Sequence, residues 1–544
     1  MIRAWSAADV RAAEEPLLRA GVPLMQRASF ALAVQVLADL RARRRTLRGA
    51  RVAVLAGSGN NGGDALHAGA VLAGRGLHVH AVLTGQRTHA GGLDALRSAG
   101  GRVVDLAAAP DRLGAAARDV AGADVVLDGL VGIGASGALR GVAAEIVTAV
   151  DALTPAVGMK SAGMERSMRA DFMPTAGVGA ANSGAAAGGR PWIVAVDTPS
   201  GIGVDDGTVP GPVLAADRTV TFGAAKPGLL LPPAAHLAGE VTVVDIGLSL
   251  ERPPEVHRLD PADVASRWPV PGPADHKYTR GVVGLVAGTS TFPGAAVLAA
   301  SSAVRTGVGM VRYRGPATVA RAVLSARPEV VTAPGRVQSW IVGPGVPPAA
   351  DDADDGQSDR GRAGLAAARG ELAGLSRGPV PAVVDAGGLG LVAESCPPWF
   401  VLTPHAGELR TVLRRHGEDV HRVEIEAEPM RWARRAHELT GATILLKGAV
   451  TVVVGAGVTY AQADAPAWLS TAGAGDVLSG ILGTMLAGRS AEVVADPALA
   501  AEVAAGAAVV HGLAAQRANP GGPVAALDVA EAVPGTVAEL LSLR

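Results

Sequence analysis

A single cysteine, Cys396, stands in a chain of 544 residues. No intramolecular disulfide and no cysteine-based zinc cluster can form, and a reducing cytoplasm is the expected setting. Aromatic residues make up only 3% of the chain, so its cores must be built from Ala, Val and Leu. Charge of one sign is also missing: 49 Lys plus Arg against 50 Asp plus Glu leave a net charge of -1. That balance excludes the basic footprint of a nucleic-acid binder. No export signal is expected, because Arg3, Asp9, Arg11, Glu14 and Glu15 interrupt any apolar run near the start. No membrane span is expected either, since Glu492, Asp496 and Glu502 break the Ala and Val stretches below the ~20 residues needed.

What is present is 49% hydrophobic and 18% charged, a composition that folds. The length is too great for one core. Residues from Ala7 to Arg45 carry a helical period, and Arg51 to Ala56 then reads as a buried strand. Further strand-like runs follow at Val79 to Leu83, Val103 to Leu106, Asp124 to Leu127, Ile193 to Val196, Thr219 to Phe222 and Gly239 to Val244. Helix-length connections between them point to a doubly wound parallel sheet. Residues 156–190, rich in Gly, Ala, Ser and Met, read as a flexible insertion. The proline-rich stretch 253–273 reads as a linker, giving domains at 1–252 and 274–544. In the second, Val282 to Ala287, Ser339 to Val342, Val380 to Asp385, Phe400 to Thr403 and Ala442 to Leu446 read as buried strands, and 347–362 as a surface loop. The expected fold is α/β throughout, with two three-layer α/β/α domains.

The 72 glycines make any lone glycine match weak, so placement has to carry the argument. Gly57, Gly59, Asn60, Asn61, Gly62, Gly63 and Asp64 form an expected loop directly after the first strand. Glycines there let backbone approach a ligand, and the following helix start favours anionic groups. Two more loops follow strands and open on an acid: Asp128 to Gly134, and Asp197-Thr-Pro-Ser200-Gly201. Asp128 and Ser200 taken singly read equally well as helix caps. In an open α/β sheet, however, such loops converge on one crevice.

Asn60-Asn61-Gly62-Gly63-Asp64, then Asp128 with Gly132-Ile133-Gly134, then Asp197 with Ser200 resembles the NAD(P)H-hydrate epimerases over roughly residues 1 to 250. The resemblance implies a Rossmann-like domain with Asn61, Asp128 and Ser200 as ligands of K+. It also implies that Asn60 to Asp64, Gly132, Ile133, Gly134, Ala135, Ser136, Gly137, Ala138 and Asp197 hold the hydrated nicotinamide nucleotide. Asp197 is the expected acid/base, because inverting the hydrate's C6 centre beside a ring nitrogen needs assisted proton transfer. Lys226, in Phe222-Gly-Ala-Ala-Lys226-Pro-Gly, resembles a lysine loop near that pocket; a solvated lysine is the alternative.

The strongest single motif is Thr471-Ala-Gly473-Ala-Gly475-Asp476 ahead of a helix. A glycine turn at a helix start makes an anion hole, and an aspartate behind it can take a proton from an alcohol attacking a phosphoryl group. With Pro293-Gly-Ala295-Ala296, Gly343-Pro-Gly345, Thr403-Pro-His405-Ala-Gly-Glu408 and Lys447-Gly448-Ala449-Val450-Thr451, it resembles the ribokinase-like ADP- or ATP-dependent NAD(P)H-hydrate dehydratases over roughly residues 255 to 544. By that resemblance Ala295, Gly345, His405 and Asp476 contact the hydrate, with Asp476 catalytic. Lys447, Gly448, Ala449, Val450, Thr451 and Gly475 contact the adenine nucleotide. Asp385-Ala386-Gly387-Gly388 stands where that family commonly carries a second aspartate. The implied enzyme is a bifunctional isomerase and lyase: it epimerises R and S hydrates and dehydrates the S form with ADP, releasing AMP and phosphate, with Mg2+ on the phosphates. The rival reading is a ribokinase-like small-molecule kinase carrying a non-catalytic N-terminal ligand-binding module. The expected partners are small molecules and further copies of the chain in a homo-oligomer, with no nucleic acid and no membrane.

Overall fold

The computed structural model describes residues 1–43, 46–134, 137–154, 190–347 and 354–544. Nearly all of the insertion expected at 156–190, together with Ala135 and Ser136, lies outside the described residues. The chain forms two compact units, Arg3–Glu255 and Val256–Arg544, the latter also holding Met1 and Ile2.

After β1 (Ile2–Ala4), the expected long helix is two helices, Ala7–Arg19 and Leu24–Arg43. Gly21, at φ 73°, and Pro23 break it, since a left-handed residue followed by a proline cannot continue the ladder. Seven parallel strands follow: β2 (Arg51–Ala56), β3 (His78–Leu83), β4 (Arg102–Asp105), β5 (Val125–Gly129), β6 (Trp192–Val196), β7 (Arg218–Phe222) and β8 (Glu240–Val244). Their order is β4-β3-β2-β5-β6-β7-β8. The direction of winding reverses between β2 and β5, where Leu55 lies beside Asp128. Alternation along β2 produces the layers. Val52, Val54 and Ala56 pack with Leu32 and Leu66 of helices Leu24–Arg43 and Asn60–Gly74. Ala53 and Leu55 pack with Ala116 and Ile146 of helices Leu113–Ala121 and Gly141–Leu153. A two-residue side-chain period buried on both faces requires this arrangement.

The second unit has β9 (Val256–Arg258), β10 (Val282–Val286), β11 (Met310–Tyr313), β12 (Ser339–Val342), β13 (Ala382–Val384), β14 (Phe400–Leu402), β15 (Thr443–Leu446), β16 (Thr451–Gly455) and β17 (Val458–Gln462). The sheet order is β1-β9-β17-β16-β15-β14-β13-β12-β10-β11, parallel from β10 to β15 and antiparallel from β15 through β17. Val283, Leu285, Ile341, Val383, Val401 and Leu445 share a core with helices Pro293–Arg305, Ala474–Gly488 and Ala498–Ala518.

Three expectations are corrected here. The linker read at 253–273 already contains β9 and helix Pro261–Arg267, so the first unit runs to Glu255 rather than residue 252. Pro261 is the first residue of that helix, behind an Asp260–Asp263 capping box; it starts structure rather than interrupting it. Within the surface loop read at 347–362, Gln357 begins a helix and is buried, donating to Ala287 O and Gly288 O at 2.9 and 2.6 Å. Helix Ala498–Ala518 is long and apolar enough to cross a membrane by length and composition. Glu492 and Asp496 precede it and leave only Glu502 in its first turns, and most of its residues are buried in the core.

Helices Ala474–Gly488 and Pro293–Arg305 meet at Gly480, where a Cβ would collide with Ser302 Oγ and Ala299 O and lie 2.9 Å from Ala303 N. Gly480→Ala is therefore expected to destabilise the second unit by about 1–3 kcal/mol, because backbone on the facing helix cannot yield as a side chain can. Urea unfolding of wild type and variant measures it.

Candidate active sites

In the first unit the loops after β2, β5 and β6 meet at the point where the strand order reverses. The expected loop Asn60–Asp64 is already helix: Asn60–Gly74 starts immediately behind Gly59, with no side chain capping it. The five residues therefore form the first turn, where backbone N–H groups point outward from the helix end. Asn61 and Asp64, three apart, lie on one face of that turn. Both Asn61 Nδ2 and Asp64 Oδ1 are buried without a hydrogen-bond partner among the described residues. Orphaned polar atoms at that density mark a surface built for a ligand.

Asp128, fully buried at the end of β5, accepts from Ser200 Oγ at 2.6 Å, Ser200 N at 2.9 Å and Leu130 N at 3.3 Å. Burial pushes its carboxyl above the usual range, while Ser200 and Leu130 oppose the shift. Ser200 Oγ also lies 3.2 Å from Val131 O, and a Cβ on Gly132 would stand 3.2 Å from Asn61 Oδ1. Carboxylate, hydroxyl, carbonyl and amide oxygens thus gather in one place. They form a hard donor set suited to an alkali cation rather than a soft metal. Ala138 packs against Gly211, and Leu139 against Gly201, which brings that stretch beside the Ser200 loop. Gly134 and Gly137 are exposed.

Asp197 adopts φ 65°, a left-handed conformation rare outside glycine. Its Oδ1 accepts from Thr221 Oγ1 at 2.9 Å, from Phe222 N at 3.3 Å, and from Lys226 Nζ. Lys226 is 1% exposed and also donates to Thr221 Oγ1 and Phe222 O. The solvated-lysine alternative is thereby excluded. Asp64 feels Asp197 and Glu14: burial first, then those two charges, push its carboxyl up to about 8. Glu14, from helix Ala7–Arg19, is raised by burial and by Asp197, against the pull of Lys226. Three carboxyls thus act on one another here, and the Lys226 ammonium meets Asp197 directly and Glu14 through charge. Glu14 belonged to no motif, because helix periodicity alone cannot say which neighbour a helix will face.

In the second unit the loops after β10, β12, β13, β14 and β15 close at one sheet edge. Gly288 N donates to Pro344 O at 2.7 Å, and Gly345, at φ 66°, packs against Ala295 in the first turn of helix Pro293–Arg305. His405 caps helix Ala406–Arg415: its Nδ1 accepts from Gly407 N and Glu408 N at 3.0 and 3.2 Å, and Glu408 returns a bond to His405 N. Its Nε2 stands 3.6 Å from Glu408 Oε1. Lys447 N donates to Pro404 O at 2.8 Å, joining the two loops. Residues 448–450 are the turn of the β15–β16 hairpin; Gly448 is exposed, Val450 is buried, and Thr451 opens β16 opposite Gln462.

Lys447 Nζ lies 2.7 Å from Asp385 Oδ1 and 3.6 Å from Glu408 Oε2. Although burial alone would lower it, those two carboxylates hold its ammonium above the ordinary value. Asp385 Oδ2 accepts from Ser479 Oγ at 3.0 Å. Helix Ala474–Gly488 starts behind Gly473, at φ 87°, without a side-chain cap. A Cβ on Gly475 would stand 3.5 Å from Lys447 Nζ and 3.7 Å from Asp385 Oδ2. Burial, then the charge of Asp385, pushes Asp476 up to about 7, with Lys447 opposing. Behind the turn, burial pulls the His511 imidazole down to about 4 against a hydrogen bond with the Ala474 backbone. Asp385 and Ser479 were not among the expected site residues: the Asp385-Ala386-Gly387-Gly388 stretch was noted only for the aspartate it lacks, and the contact between Asp385 and Ser479 spans two elements. Among the described residues no group of three or more His, Cys, Asp or Glu is arranged to hold a metal.

Both clusters occupy the segments that known proteins share with this chain. A profile described as YjeF-related protein N-terminus matches residues 22–228, and one described as NAD(P)H-hydrate dehydratase matches 283–534. The bifunctional NAD(P)H-hydrate repair enzyme Nnr of Mycobacterium tuberculosis is 39% identical over 502 residues, covering 89% of either chain. The chain belongs to the bifunctional NAD(P)H-hydrate repair enzymes. An NAD(P)H-hydrate epimerase of Clavibacter sepedonicus is 42% identical over 249 residues, 45% of this chain and 91% of its own. Among solved structures, the ADP/ATP-dependent NAD(P)H-hydrate dehydratase of Bacillus subtilis, co-crystallized with ATP/Mg2+, is 23% identical, with a TM-score of 0.42 over 52% of this chain and 97% of its own.

Asp64 gives a pH signature. Because its folded-state value is raised to about 8 from 3.8, the native state holds a proton that the unfolded state releases. Its contribution to stability is complete below about pH 4 and is lost as pH rises toward 8, with a slope of up to about 1.4 kcal/mol per pH unit. Asp64→Asn should flatten the fall in unfolding free energy between pH 5 and 8, measured by denaturant titration at each pH.

Proposed function

We propose that the first unit interconverts the R and S hydrates of NADH and NADPH, and that the second dehydrates the S hydrate at the expense of ADP. The observation that carries the second half is Asp476, half-buried beside an uncapped glycine turn and poised near neutrality next to Lys447. Asp476 takes the proton of the hydrate's C6 hydroxyl as that oxygen bonds to the terminal phosphorus of ADP and AMP leaves. Phosphate, a far better leaving group than hydroxide, then departs from C6 with the C–O bonding pair as the ring nitrogen donates its lone pair, and transfer of the C5 proton to phosphate or solvent restores the dihydronicotinamide. Ala295, Gly345 and His405 line the hydrate side, and residues 447–451 with Gly475 the nucleotide side. The glycines admit backbone close to phosphate oxygens. The Bacillus relative's ATP/Mg2+ supports a nucleotide carrying Mg2+ here as well. Mg2+ held chiefly by the phosphates needs no dedicated protein cage.

In the first unit Asp197 moves the proton at the C6 oxygen while Asn60 to Asp64 and residues 132–138 hold the nucleotide. Lys226 Nζ donates to Asp197 Oδ1 and so fixes the orientation of the carboxyl that exchanges that proton. Asn61, Asp128 and Ser200 would hold K+, which would supply positive charge beside a buried carboxylate that no lysine or arginine reaches among its hydrogen bonds. Exposed Phe30 and Val34 on helix Leu24–Arg43 support self-association of the chain, and the single buried cysteine supports a cytoplasmic setting.

Asp476→Ala should slow dehydration of the S hydrate roughly 10²- to 10⁴-fold while leaving epimerisation intact. Asp197→Ala should block use of the R hydrate and spare the S hydrate. Absorbance of the reduced cofactor, followed with separated hydrates and ADP or ATP, reads both; a phosphorylated product that accumulates without restoring that absorbance would favour a kinase. If Asp476 is the base, kcat for dehydration rises through about pH 7 and levels above it. Replacing K+ with tetramethylammonium should slow wild-type epimerisation and have a smaller effect on Asp128→Asn.

A further inference from the structure

Among the described residues, Asp385 is the one fully buried carboxylate in the second site that phosphoryl transfer and elimination leave without a part. It sits immediately after β13, 2% exposed, with both oxygens engaged: Oδ1 by Lys447 Nζ at 2.7 Å and Oδ2 by Ser479 Oγ at 3.0 Å. Its partners come from different elements. Lys447 immediately follows β15, and Ser479 lies one turn on from Gly475 and Asp476 in helix Ala474–Gly488. Ser479 and Asp476, three apart, share a helix face, so Asp385 reaches the same side of the helix that carries the proposed base. The position a Cβ would take on Gly475 is within 4 Å of both Lys447 Nζ and Asp385 Oδ2. The ammonium is thereby held over the glycine turn instead of swinging free on four methylenes.

We propose that Asp385 is a positioning residue for phosphoryl transfer: anchored by Ser479, it fixes the Lys447 ammonium against the Gly473–Gly475 turn and sets the charge that Asp476 faces. The inference rests on the dehydratase reading of this site. The titratable and charged groups of the cluster are Asp385 on the β13 loop, Lys447 on the β15 loop, His405 and Glu408 at the start of helix Ala406–Arg415, and His511 behind Ala474. Asp385 and Lys447 act on Asp476 with opposite sign, the first raising and the second lowering its affinity for a proton. A carboxylate that served only to fill space would move neither the base nor the lysine.

The test compares full-length wild type, Asp385→Asn, Lys447→Gln and Ser479→Ala in dehydration of the S hydrate across pH 5 to 9. Asp385→Asn, nearly isosteric, should lower kcat about tenfold or more with little change in KM for the hydrate, and move the acid limb of the kcat profile down by about half a pH unit or more. Lys447→Gln should move that limb the other way. Ser479→Ala changes no charge; it should lower kcat and leave the limb where wild type has it, which keeps the proposal testable if Asp385→Asn does not fold. An active wild type whose limb stays put in both charge variants, moves the same way in both, or moves in Ser479→Ala overturns the role given to Asp385. A wild type that never regenerates reduced cofactor with ADP or ATP removes the dehydratase reading, and the proposal with it.

Discussion

A carboxylate taken out of water stays ionised only where a cation or a set of donors meets it, and each unit satisfies that demand with a lysine from another loop. Lys226 closes on Asp197 and Lys447 closes on Asp385. In both cases the lysine follows a later strand than its aspartate, so the pair ties two strand ends together at the rim of the sheet. Removing one partner would leave an uncompensated buried charge, a cost of about 3–5 kcal/mol in comparable sites. The loops are thus held by electrostatics where backbone ladders no longer reach.

Within that frame the remaining carboxyls divide into roles. Asp64 and Asp476 lie close to the paired aspartates without a lysine of their own, and burial with like charge lifts them to about 8 and about 7. A site that sets a poised carboxyl beside a lysine-paired one can give and take protons near neutral pH, as acid–base catalysis requires. The same logic appears twice on two unlike sheets, one wholly parallel and one with an antiparallel extension. It therefore stems from the geometry of strand ends rather than from either fold.

Much of the architecture was legible in the chain. Short apolar runs such as Val52 to Ala56 and Trp340 to Val342 read as strands buried on both faces, and they are. The missed strands are of another kind. Met310–Tyr313 and Thr451–Gly455 are short and carry polar or glycine residues, and β9 and β1 are three residues each. Pairing holds such segments in place, and pairing leaves no period to read. The helix start at Asn60 was placed too late because Asn and Gly read as turn residues; in the structure their small side chains let Gly62 sit against Gly57 at the switch point.

The sequence by itself determined the two α/β halves, the glycine turns and the acids that follow strands, because each is a local pattern written within a few residues. Only tertiary structure decided that Glu14 faces Asp197, that Ser479 and Lys447 converge on Asp385, and that Asn61 meets Gly132 beside Asp128. Those meetings join residues far apart along the chain. What sets them is the order of strands in each sheet, a property of the packed whole that no window of the sequence contains.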